Sequence, residues 1–89
     1  CRNYRKRNGE IDIIARDAAT TVFVEVKSAL TRGCGHPFSW VTPAKQRTIA
    51  TIARMYLAER GGRLGPCRFD VIAVTGQGVE HLKNAFLAG

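Results

Sequence analysis

Gly9-Glu10-Ile11-Asp12-Ile13-Ile14-Ala15-Arg16-Asp17 and, after four intervening residues, Val22-Phe23-Val24-Glu25-Val26-Lys27 decide the fold. Both stretches are rich in β-branched residues, and side chains alternate faces along a strand. Glu10, Asp12 and Ile14 therefore share one face, with Ile11, Ile13 and Ala15 on the other. In the second stretch Phe23, Glu25 and Lys27 oppose Val22, Val24 and Val26. With Ala18-Ala19 as a two-residue loop, Asp12 falls opposite Glu25, Ile14 opposite Phe23 and Glu10 opposite Lys27. Ile11, Ile13 and Ala15 then meet Val26, Val24 and Val22. Slipping the pairing by two residues places Asp12 against Lys27 instead, an ordinary surface ion pair.

Upstream, Asn8-Gly9 is a hairpin signal, because a type I′ turn needs positive φ at both central positions. It joins residues 2–7 to 10–16, makes residues 2–27 a three-stranded antiparallel meander, and sets Arg5 opposite Asp12. Downstream, residues 28–42 read as a loop with Gly33, Gly35 and Pro37. Thr42-Pro43 then supplies an N-cap hydroxyl and a proline at the first helical position. Ile49, Ile52, Ala53 and Tyr56 follow at helical spacing, and Gly61-Gly62 ends the helix. A strand is predicted over 69–75, a turn at Gly76-Gln77-Gly78, and a short strand over 79–82. The order is βββαββ in a single α/β domain spanning 1–89. Its one helix covers one sheet face, so a further helix or a partner subunit is expected on the other. The chain opens at Cys1 directly into a strand, which reads as a protein lacking its first segment.

Two carboxylates facing each other across a hairpin stand about 5 Å apart at their β-carbons and repel. A hard divalent cation between them removes that cost. Mg²⁺ in particular takes one or two carboxylates and leaves its other positions to water and substrate phosphate. Lys27, on the same face, can position or deprotonate an attacking water, or stabilise the charge of a phosphorane-like transition state. Gln46 lies on the helix stripe of Ile49, Ala53 and Tyr56, so its amide either serves the same site or caps the helix.

Among 89 residues, fourteen Lys and Arg against seven Asp and Glu leave a net charge of +7. Such an excess points to a polyanion, nucleic acid before an anionic surface. Arg5, Lys6 and Arg7, with Arg2, form a basic run that contacts phosphates or simply solvates an edge strand. Lys45 and Arg47, with Arg54 and Arg60 further along the helix, extend a nucleic-acid track. Phe38 and Trp40 either stack on unpaired bases or close the core. His36 reads as an exposed loop residue before a catalytic base, His81 has no evident partner, and Asp70, which opens its strand, reads as one half of a salt bridge before a member of the acidic face. Cys1, Cys34 and Cys67 lack the spacing of a disulfide framework or a zinc site. No apolar run approaches the ~20 residues of a membrane span. A cytoplasmic protein is expected.

Four segments in this order resemble one family closely. They are Gly9–Asp17, residues 22–27, Val41-Thr42-Pro43-Ala44-Lys45-Gln46-Arg47, and Cys67-Arg68-Phe69-Asp70-Val71-Ile72-Ala73-Val74. The likeness is to the YraN-like family, uncharacterised bacterial proteins placed in the PD-(D/E)XK, restriction-endonuclease-like superfamily. It continues through Glu80-His81 and Asn84-Ala85-Phe86. The resemblance implies a core like that of archaeal Holliday-junction resolvases and Mg²⁺- or Mn²⁺-dependent hydrolysis of nucleic acid. It implies DNA rather than RNA as the substrate, and a homodimer. Asp12 and Glu25 match the metal-binding acids, Lys27 the lysine of the ExK motif, and Gln46 the polar residue on the following helix. Glu10 belongs to the family's GEID and is a further candidate ligand. Family members usually begin with a helix that carries another Glu and covers the open sheet face. This sequence has no such helix. The rival reading is a nucleic-acid-binding module of the same fold without turnover.

Overall fold

The computed structural model describes residues 1–7, 9–29, 41–61, 65–76 and 78–86. Six elements follow in the expected order: β1 (Arg2–Lys6), β2 (Gly9–Asp17), β3 (Thr20–Ala29), α1 (Pro43–Glu59), β4 (Cys67–Thr75) and β5 (Gly78–Phe86). They form a five-stranded mixed sheet in the order β1-β2-β3-β4-β5. Neighbours pair antiparallel except β3 and β4, which run parallel because α1 carries the chain back across the sheet between them.

α1 starts where the sequence places its start. The Thr42 hydroxyl accepts the Lys45 N–H at 3.2 Å, with Pro43 in the first turn. Its Ile49, Ala50, Ile52 and Ala53 are buried against Ile11, Ile14, Phe23, Phe69 and Val71 of the sheet. A chain of rings crosses this core. Tyr4 meets Tyr56 edge-on at 5.2 Å, and Tyr56 meets Phe23 at 6.0 Å. Phe23 then stacks on Phe69 at 5.4 Å, and Phe69 on Phe86 at 5.0 Å. Each such pair adds about 0.5–1.5 kcal/mol beyond the area it buries. Phe86 extends β5 four residues beyond the expected 79–82. The polar run from Glu80 to Asn84 hid that strand, which lies at the sheet edge with a register shift opposite Phe69 and Val71.

From the two-residue Ala18-Ala19 loop as far as Ile13 the β2–β3 pairing is the expected one, with Asp17↔Thr20, Ala15↔Val22, Ile14↔Phe23 and Ile13↔Val24; the ladder does not continue to the expected pairs Asp12–Glu25, Ile11–Val26 and Glu10–Lys27. The first hairpin differs from expectation. Lys6 pairs with Gly9 and Arg5 with Glu10, so Gly9 already belongs to β2 and is not a turn residue. Arg5 therefore stands opposite Glu10, not Asp12. The glycine serves packing. Its φ is 150°, and a Cβ there would lie 3.3 Å from Thr48 Cγ2 and 3.5 Å from Ile52 Cδ1 on α1.

Strict alternation also fails within β2. Ile11 and Ile14 both enter the core, three residues apart, where an even pleat sends one of them to the opposite face. Asp12 lies between them, and Asn3, which faces it from β1, has a φ of 55°. The expected contact of Ile11 with Val26 on the far face is lost. Ile11 packs under α1, and Val26 stays 37% exposed. On that far face Val74 is likewise 38% exposed. Among the described residues α1 is the one helix, and it covers only the other side. None of them forms a helix long and apolar enough to cross a membrane.

Candidate functional site

The irregularity in β2 builds the site. Where the ladder to β3 stops at Ile13, the Asp12 carboxylate takes the place of a main-chain acceptor, and the Val26 N–H donates to its Oδ2 at 2.8 Å. This bond fixes Asp12 to the strand that carries Glu25, and the two carboxyl groups come within hydrogen-bonding reach. A kinked strand that re-aims one side chain is a common device beside functional sites.

Glu25 occupies the middle strand of the sheet, next to Val71 of β4, and is only 5% exposed. Burial and the hydrogen bond with Asp12 push its carboxyl up to about 6, against the pull of Lys45 and Lys27. The Lys45 ammonium lies 3.6 Å and the Lys27 ammonium 3.7 Å from the same oxygen, Glu25 Oε2. The structure thus gathers Asp12, Glu25, Lys27 and Lys45. Lys45, read from the sequence as a phosphate contact, reaches Glu25 because Thr42 caps α1 and holds its first turn beside β3.

Other candidates lie elsewhere. Gln46 spends its amide on the Val41 carbonyl, donating at 2.9 Å. Glu10 pairs with Arg5 at 3.3 Å. Lys6 pairs with Glu59 at 2.6 Å, and the Tyr4 hydroxyl donates to the other Glu59 oxygen, so the first strand is clasped to the end of α1. Arg7 and Arg47 are exposed. Cys1 and Cys67 are free and exposed. Asn8, Gln77 and residues 30–40, with Cys34, His36, Phe38 and Trp40, lie outside the described residues.

Asp70 makes the salt bridge expected of it, and His81, for which the sequence reading found no partner, joins it in a larger network. Asp70 is 1% exposed and lies on the sheet face opposite α1, where Arg68 grips it through Nε at 2.9 Å and Nη2 at 3.0 Å. His81 Nε2 meets the same carboxylate at 2.7 Å, and the Asn84 N–H donates to it at 3.0 Å. Burial works to raise its titration, but Arg68, Asn84 and His81 outweigh it and hold Asp70 below the usual aspartate value. A second carboxylate, Asp17, takes Arg68 Nη1 at 3.1 Å. The available signal was parity: Arg68 and Asp70, two residues apart, share the face that Phe69 and Val71 do not.

Asp12 and Glu25 offer a hard divalent cation what it needs. They are two adjacent oxygen donors, with Glu25 raised first by burial and then by its hydrogen bond with Asp12, and Mg²⁺ commonly binds through one or two carboxylates. Among the described residues no group of three or more His, Cys, Asp or Glu side chains is placed to hold a metal ion. Glu10 therefore stands apart from the pair.

Comparison with known proteins agrees with the sequence resemblance. Residues 1–74 match the uncharacterised protein family UPF0102. A UPF0102 protein of Geotalea uraniireducens is 47% identical over 90 residues, covering 96% of this chain and 71% of the relative. One from Geobacter sulfurreducens is 49% identical over 90 residues, covering 96% and 70%. Another, from Symbiobacterium thermophilum, reaches 53% over 73 residues, covering 82% and 62%. These relatives carry no activity in their names. By the extent of these matches, the chain belongs to the YraN-like family, UPF0102.

Proposed function

We propose that the protein is a metal-dependent endonuclease that hydrolyses phosphodiester bonds in nucleic acid, with structured or branched DNA as substrate. One observation carries the reading: a buried glutamate and an aspartate brought together by a break in strand pairing, with two ammonium groups beside them. Like charges placed together in this way cost stability, so the arrangement is explained better by a cation and a phosphate than by the fold. Asp12 and Glu25 would hold Mg²⁺ or Mn²⁺. When bound, that ion supplies charge to polarise the phosphate and to activate water. Lys27 orients the attacking water or steadies the charge that develops on the phosphoryl oxygens. The net charge of +7 favours a polyanion. A homodimer fits the uncovered sheet face.

Binding without turnover is the second reading, and the lack of a third acidic or histidine ligand among the described residues favours it. The test is cleavage with Mn²⁺ of a labelled panel of duplex, single-stranded, flap and four-way-junction DNA, together with RNA. Cleavage that Asp12→Ala abolishes establishes the nuclease and names its substrate. Binding retained without cleavage establishes the module, and absence of binding removes both.

A further inference from the structure

The α1 side chain that reaches the carboxylates is Lys45, 3.6 Å from Glu25 Oε2, and the next residue turns away. Gln46 donates its amide to the Val41 carbonyl at 2.9 Å, and its main-chain N–H donates to the Thr42 carbonyl at 2.8 Å. The Thr42 hydroxyl in turn accepts the Lys45 N–H. Three hydrogen bonds thus fix the helix start that carries Lys45, and Gln46 makes two of them. This bond takes one of the two Nε2 hydrogens and holds the amide against the helix start.

We propose that Lys45, rather than Gln46, works in the site. The Lys45 ammonium holds the Glu25 carboxylate while no divalent cation is bound, then turns to a phosphate oxygen of the nucleic acid when a cation takes Glu25. This rests on the nuclease reading. The physical basis is competition at one oxygen. Lys45 and Lys27 share Glu25 Oε2, and a divalent cation at that carboxylate repels both ammonium groups. Lys45 is the one carried by a separate element. Its side chain is 38% exposed on a flexible four-carbon stem, free to swing towards bound phosphate.

Competition leaves a signature that a structural lysine does not. Removing Lys45 tightens cation binding and weakens nucleic-acid binding together. The experiment measures Mn²⁺ affinity by calorimetry, and four-way-junction binding in Ca²⁺, for the wild type, Lys45→Met and Gln46→Ala. It is run at about pH 8.5, where Glu25 is ionised. Lys45→Met is expected to bind Mn²⁺ roughly tenfold tighter and the junction several-fold more weakly. Gln46→Ala is expected to keep Mn²⁺ affinity within about twofold while lowering the unfolding midpoint. Unchanged or weaker Mn²⁺ binding by Lys45→Met overturns the proposal. So does an equal tightening by Gln46→Ala, and tightening without loss of junction binding overturns the transfer to phosphate. A wild type that binds no Mn²⁺ overturns the nuclease reading and this proposal with it. A wild type that binds Mn²⁺ and cleaves, beside an unaltered Lys45→Met, overturns this proposal alone.

Discussion

Replacing Glu25 by Gln removes a charge from the middle of the sheet and keeps the side-chain volume. In the folded chain Glu25 titrates at about 6, against an ordinary 4.5. An acid held above its unfolded value favours folding while it stays protonated. Its contribution is complete below about pH 4.5 and is lost as the pH rises through 6. The span of about 1.5 pH units, at about 1.36 kcal/mol each, makes ionised Glu25 cost ~2 kcal/mol at neutral pH. Its side chain is only 6% exposed, so little of this is screened. Glu25→Gln should therefore stabilise the metal-free protein at pH 8 by up to ~2 kcal/mol, raising Tm by roughly 10 °C for a domain of this size. At pH 5, where the wild-type carboxyl is mostly protonated, the same substitution should be nearly neutral. Divalent cation reverses the ranking, since a ligand at a hundred times its Kd contributes ~2.7 kcal/mol to the wild type and nothing to the variant. Thermal unfolding at both pH values, in chelator and in Mg²⁺, measures all of this. A variant less stable than wild type at pH 8 in chelator, or equally shifted at pH 5, would refute the argument that Glu25 is held there against the interests of the fold.

Lys27→Ala should tighten cation binding, because it removes an ammonium 3.7 Å from Glu25 Oε2, and should abolish cleavage; unaltered cleavage removes Lys27 from the reaction. Arg68→Met should lower stability by ~3 kcal/mol in urea unfolding, because it leaves Asp70 buried with one strong partner fewer. The Asp70 contribution has the opposite sign to that of Glu25. It is present above about pH 4 and lost as the pH falls through the depressed folded value, so Asp70→Asn should flatten the acid limb of the stability profile. Gly9→Ala should cost ~1–3 kcal/mol, since the new methyl group meets Thr48 at a φ unsuited to side chains. A cost under ~0.5 kcal/mol would mean that β2 shifts freely against α1.

The element order, the β2–β3 register and the start of α1 were legible because each rests on local rules: alternation, a two-residue loop, a Thr-Pro cap. The misplaced first hairpin shows where such rules stop. Asn8-Gly9 marks a turn, but Gly9 is also the residue over which Thr48 and Ile52 pack, and that contact belongs to tertiary structure. The same holds for Asp12. Parity sets it opposite Glu25, but the ladder ends at Ile13, and nothing local announces that the Asp12 carboxylate replaces a backbone acceptor for Val26. Choosing between Lys45 and Gln46 was beyond a periodicity argument, because neighbours on a helix diverge by only ~100°. Where each side chain ends depends on the acceptor it finds, and Gln46 finds the Val41 carbonyl.

Asp70 and Glu25 are the two buried acids of one sheet, on opposite faces, and the fold treats them in opposite ways. Asp70 has a bidentate arginine, an imidazole and a main-chain N–H, and titrates below the ordinary aspartate value. Glu25 has two ammonium groups at 3.6 and 3.7 Å, longer than a good charged hydrogen bond, and a second carboxylate as its neighbour. A chain able to satisfy one buried carboxylate fully has no physical obstacle to satisfying another. The small core of an 89-residue domain makes the ~2 kcal/mol that buried, ionised Glu25 costs a large share of its stability. An acid left under-compensated at that cost, beside a second acid fixed by a strand irregularity, is the arrangement expected where the missing charge arrives from outside. A divalent cation brings positive charge to the carboxylates, and a phosphodiester gives the released lysines a partner. The two faces thus separate the carboxylate that holds the sheet together from the one that the sheet holds in readiness.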